Sequence, residues 1–111
     1  MTVKDLIEKH NFKVILEGKD LTQTVSKPFC CDLLSIAMSK APVDSAWVTV
    51  MGNVNTLAVA TLTDVACIIL AEGVTLDDAA LEKGKQQQIT VLSTEQSIFD
   101  AALTIHGLIH G

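Results

Sequence analysis

Residues 46–71 read AWVTVM-GN-VNTLAVATLTDV-ACIILA, and the change of rhythm inside them decides the fold. Ala46–Met51 is a continuous apolar, β-branched run of strand length, and Gly52-Asn53 breaks it. A helix is predicted from about Val54 to Val65, followed by a second continuous apolar run, Ala66–Ala71. Strands that are apolar at every position, rather than every second one, are strands covered on both faces, the condition inside a parallel sheet. A helix between two such strands is the crossover that carries the chain back to begin a parallel neighbour.

The same rhythm continues outward. Toward the C-terminus, Glu72-Gly73 turns, Thr75 is expected to cap a helix reaching about Gln87 with Asp77 and Asp78 in its first turn, and Ile89–Leu92 is a third apolar strand. Ser93 or Thr94 then caps a last helix, with Gln96 placed three after Ser93. Toward the N-terminus, Pro28 leads into the short apolar run Phe29-Cys30-Cys31. Asp32 opens a helix through Leu33, Leu34, Ile36, Ala37 and Met38 that stops before Pro42. Leu21–Lys27 is polar and reads as loop or weak strand. Thr2, with Asp5 three residues on, caps a first helix whose apolar stripe is Val3, Leu6 and Ile7 and which ends at Asn11. Phe12–Leu16 is a short strand closed by Glu17-Gly18-Lys19-Asp20. The expectation is one α/β domain over 1–111, three-layered, with a mainly parallel sheet of about four to five strands and helices on both faces.

Composition narrows the function classes. The 111 residues are 49% apolar, with a mean hydropathy of +0.40. A domain this small has much surface per volume, so excess apolar side chains point to a subunit interface and a homodimer. The net charge is −5 and all 8 basic residues are lysine. An acidic chain without arginine lacks the fork that reads phosphates and base edges, and Phe12, Phe29, Trp47 and Phe99 are too few for a stacking platform. Nucleic acid is therefore not an expected partner. The N-terminus becomes charged at once, without the apolar core of a signal segment, and Ser45–Thr63 is too rich in Gly, Asn and Thr to span a membrane. With an odd cysteine count (Cys30, Cys31, Cys67), these features fit reduced thiols and a cytoplasmic protein.

In a parallel α/β sheet, ligands gather beyond the C-terminal strand ends, where helix N-termini present free N–H groups. The residues placed there are Asp32, Thr49, Gly52, Asn53, Asn55, Ser93 and Thr94. Each also has a plainer reading. Asp32 and Asn53 stand where N-caps stand, and a functional Asp32 needs a cationic partner for which only lysines such as Lys27 are at hand. Cys30-Cys31 lacks metal-ligand spacing, and neighbours on a strand face opposite ways, so both thiols and Cys67 read as buried and unreactive. His106 and His110, four apart on the last helix, have no further ligand pattern around them and read as a solvated or interface-edge pair. No phosphate-binding glycine loop and no nucleophile elbow occurs; Gly84-Lys85 is followed by Gln86 and falls inside a helix. No catalytic residue, metal ligand or cofactor site is assigned.

Taken in order, Cys31-Asp32-Leu33-Leu34-Ser35-Ile36-Ala37-Met38, Trp47-Val48-Thr49-Val50, Asn55-Thr56-Leu57-Ala58-Val59-Ala60, Ile68-Ile69-Leu70-Ala71-Glu72-Gly73 and Ile89-Thr90-Val91-Leu92-Ser93-Thr94 resemble the DRTGG domain family. This is the family of the N-terminal domain of HPr kinase/phosphorylase, and the resemblance runs through nearly the whole chain. It implies a small α/β regulatory or oligomerising module, with catalysis elsewhere. The signature itself is degenerate: its five positions fall near Thr22, Gln23, Ser26, Lys27 and Pro28, where Lys-Pro replaces a flexible glycine pair. The leading expectation is a non-catalytic regulatory module, acting as a homodimer or in a larger complex with a protein partner. Two alternatives stand beside it: a sensor of a nucleotide or other small anion at the strand C-terminal ends, and a small enzyme.

Overall fold

The computed structural model describes residues 1–10 and 12–111. In chain order the elements are α1 (Val3–His10), β1 (Lys13–Leu16), β2 (Pro28–Cys30), α2 (Leu34–Lys40), β3 (Ala46–Thr49), α3 (Val54–Thr63), β4 (Cys67–Leu70), α4 (Asp78–Gln87), β5 (Val91–Ser93) and α5 (Ile98–His110). They build a five-stranded sheet in the order β1-β5-β4-β3-β2. β2, β3, β4 and β5 are parallel, and β1 closes the other edge antiparallel to β5. The expected three-layer α/β architecture is present. The expected helix end at Asn11 lies outside the described residues.

The continuous apolar runs are what the two-sided burial requires. All four residues of β3 and all four of β4 are buried. Alternate side chains enter alternate cores. Ala46, Val48, Cys67, Ile69 and Leu92 pack with Val3 and Leu6 of α1 and Ala101 and Ile105 of α5. Trp47, Ile68, Leu70 and Val91 pack on the other face with Ala37 of α2, Leu57 of α3 and Ala80 of α4. The three crossover helices thus share one face, and the two terminal helices share the other. Trp47 is fully buried, and its indole N–H donates to the Cys31 carbonyl at 2.9 Å, so the largest core side chain leaves no unmet donor. Gly84 sits in the interior of α4 because a Cβ there would collide with Leu16 of β1 and lie 3.1 Å from Leu57 of α3.

Several local details differ from the sequence expectation. At α1 the expected reciprocal cap forms: Thr2 N–H donates to the Asp5 carboxylate at 3.0 Å, and Asp5 N–H donates to Thr2 Oγ1 at 3.3 Å. At α2 the helix opens at Leu34 after Leu33, which gives no side-chain cap, and Asp32 lies before it. At α4 the cap is Asp77, not Thr75, its carboxylate accepting from Ala80 N–H at 2.7 Å. At α5 the cap is Ser97, not Ser93 or Thr94, its Oγ accepting from Asp100 N–H at 3.1 Å. In both cases a later side chain meets the N3 amide, and near α5 the Thr94 hydroxyl accepts from Gln96 N–H instead.

Candidate functional site

The C-terminal strand ends bring some of the expected residues together. Thr49 Oγ1 donates to Asp32 Oδ1 at 2.6 Å, Val50 N–H donates to the same oxygen at 3.0 Å, and Met51 N–H donates to Thr49 Oγ1 at 3.2 Å. Asp32 is therefore a latch holding the exit of β2 to the exit of β3. Asn53 caps α3 as expected: its Oδ1 accepts from Thr56 N–H at 3.1 Å. Gly52 is required by close approach, since a Cβ there would strike the Thr75 carbonyl. The Gly52 carbonyl accepts from Asp77 N–H at 3.2 Å, so the exits of β3 and β4 are tied together. Asn55 is exposed on the first turn of α3.

Ser93 and Thr94 lie apart from this group. Ser93 ends β5 and Thr94 follows it, two strands from β3, which is roughly 10 Å away at ordinary strand spacing. Thr94 Oγ1 accepts from Gln96 N–H at 3.2 Å, and Thr94 N–H donates to the Leu70 carbonyl at 2.9 Å. The chain leaves β4 toward α4 on one face and β5 toward α5 on the other, the arrangement that opens a crevice in α/β sheets. Here the two exits are stitched across it: Glu72 N–H donates to the Gln96 carbonyl at 2.8 Å, and Gly73 N–H donates to the Thr94 carbonyl at 2.9 Å.

The cysteines divide. Cys67 is fully buried and its thiol is pushed up to about 12 by that burial. Cys30 is exposed and Cys31 half-buried, which corrects the expectation that both are buried. β2 is an edge strand, with a neighbour on one side only, and its residues stay partly open to solvent. The Cys30 thiol is raised by partial burial and then by the nearby Asp32 carboxylate, so it remains protonated at neutral pH. The His106 and His110 rings stand with centroids 4.3 Å apart on exposed positions of α5. Among the described residues no three metal-ligating side chains cluster, and no helix is long and apolar enough to cross a membrane.

A cavity of about 270 Å³ lies at the opposite end, under the N-terminal ends of β4 and β5. Its wall includes Lys19, Asp20 and Gln23 from the β1–β2 connection, Asp64 at the end of α3, and Gln87 and Gln88 at the end of α4. Sequence reasoning missed it. These residues form no motif, and the only hint was the clustering of polar side chains where helices end. The stretch Thr22–Pro28, expected from the sequence to hold a degenerate signature, makes structural hydrogen bonds at this same end. Val3 N–H donates to the Gln23 carbonyl at 3.1 Å, Ala46 N–H donates to the Lys27 carbonyl at 2.9 Å, and Gln23 Nε2 donates to Asp44 Oδ1 at 2.9 Å. Compared with known proteins, the chain matches no protein-family model and no curated protein.

Proposed function

We propose that this chain is a non-catalytic regulatory module that works in the cytoplasm as a homodimer, associating through the outward face of α5. The observation that carries the reading is an apolar stripe on that helix. Phe99 is 70% exposed and Leu103, one turn on, is 54% exposed. Aromatic and aliphatic side chains at (i, i+4) on an outward helix face form the kind of patch that a partner surface covers. Farther along the stripe, apart from the local backbone of its own helix and its chain neighbours, nothing lies within 4 Å of the place a Cβ of Gly107 would occupy, so a second helix meets no side chain there. Two α5 helices packed antiparallel bring Phe99 and Leu103 of one copy against the His106–His110 end of the other, a self-complementary contact of the isologous type. The polar side chains Asp32, Thr49 and Asn53, engaged in latches and caps at the strand ends, favour a structural role there over chemistry.

The test replaces the stripe. In light scattering, the unmodified chain is expected to run as a dimer and the Phe99→Glu, Leu103→Glu double variant as a folded monomer. A double variant that remains dimeric overturns the assignment to α5.

A further inference from the structure

We propose that His106 and His110 form a two-imidazole clamp for a borderline divalent cation, of the Ni²⁺, Zn²⁺ and Cu²⁺ class, on the outward face of α5. The two residues stand one helical turn apart, and their ring centroids are 4.3 Å apart with the planes inclined at 41°. An imidazole nitrogen holds zinc at about 2.0–2.1 Å, so two rings at right angles on one cation have centroids roughly 4.5 Å apart. The pair therefore stands close to chelating separation without a cation. Both side chains are exposed, so a hydrated ion reaches them without opening the core.

The surroundings favour a cation. The clamp occupies the last turns of α5, where the helix presents its negative pole. α5 carries no lysine, and the chain as a whole has a net charge of −5. Gly107, next to His106, adds no side chain to crowd the waters that complete the coordination. Among the described residues no third metal-ligating side chain joins the two, so the protein supplies two imidazole nitrogens and leaves the other positions open. Magnesium and calcium take oxygen ligands, whereas imidazole suits nickel, copper and zinc, and this sets the class of ion. The clamp needs one chain only. In the homodimer proposed above the second copy lies over the pair, so cation and partner compete for that face; the competition rests on the dimer reading, and the clamp does not.

The probe is paramagnetic Ni²⁺, titrated into the untagged, isotope-labelled full chain and followed by amide NMR, with Mg²⁺ as the oxygen-seeking control. The expected result is saturable signal loss at residues 103–111 with Ni²⁺ and none with Mg²⁺. Because both histidines are exposed, His106→Ala and His110→Ala keep the core intact. Each is expected to weaken Ni²⁺ binding at least about tenfold, since removing even a group that merely supports a ligand costs about 10–100-fold in metal affinity. The same titration is run on Phe99→Glu, a change two turns from His106 and clear of the clamp. It uncovers a pair that a second copy covers, so failure of the clamp is read separately from failure of the dimer. No localised signal loss in either background, an equal response to Mg²⁺, or binding undiminished in either alanine variant overturns the proposal.

Discussion

Asp32 illustrates how a residue's local context misleads. An aspartate just ahead of an apolar helical run reads as an N-cap, yet its carboxylate is taken by Thr49 and Val50 of the neighbouring strand. That partner lies 17 residues away in sequence, and nothing in the spacing announces a lateral contact. Asp32→Ala is expected to lower the unfolding free energy by about 1–2 kcal/mol in denaturant titration, the net worth of losing an anionic acceptor. At Asp5 the Thr2 N–H holds the carboxyl below its ordinary 3.8. A carboxyl lowered by folding stabilises the native state above its unfolded value, and that contribution is lost as pH falls through the lowered value. Unfolding measured at neutral pH and on the acid side of 3.8 should therefore show a smaller acid loss for Asp5→Asn than for the unmodified chain. The cysteines give a third check. Under native conditions a thiol reagent should label Cys30 fastest, and Cys67, fully buried, only when the protein unfolds.

Element types were legible because the apolar runs have the length and two-sided pattern that a parallel sheet demands. Element ends were less so, since several cap-forming residues stand within a few positions of each other. Thr75 and Asp77 both suit the start of α4, and only the bond to Ala80 N–H decides for Asp77. Asp77→Ala is expected to cost about 1 kcal/mol and Thr75→Ala much less, which thermal unfolding of the two variants resolves. The turns that enter the parallel strands share a feature no pattern announced. Asp44, Asp64 and Gln88 adopt left-handed backbone, at φ 64°, 56° and 56°. Gln88 has no side-chain compensation for that geometry, so Gln88→Gly should raise stability by about 0.5–1 kcal/mol. Gly84→Ala works the other way. Alanine is the better helix former by about 1 kcal/mol, but crowding against Leu16 and Leu57 outweighs that gain, and a net loss of stability is expected.

For the whole molecule, the layered architecture followed from the sequence, whereas the sheet order and the position of the cavity did not. Both depend on which helix covers which face, and a hydrophobic run covered on two sides looks the same whichever helix covers it. The placement of α1 and α5 on one face leaves the stripe of Phe99 and Leu103 turned outward. An apolar fraction of 49% in a chain this small is consistent with that stripe being covered in use. The central claim is that a second copy covers it, and sedimentation equilibrium of the unmodified chain at micromolar concentration tests it most directly. The account predicts a mass twice the 11.9 kDa of one chain; a single-chain mass throughout the micromolar range contradicts it.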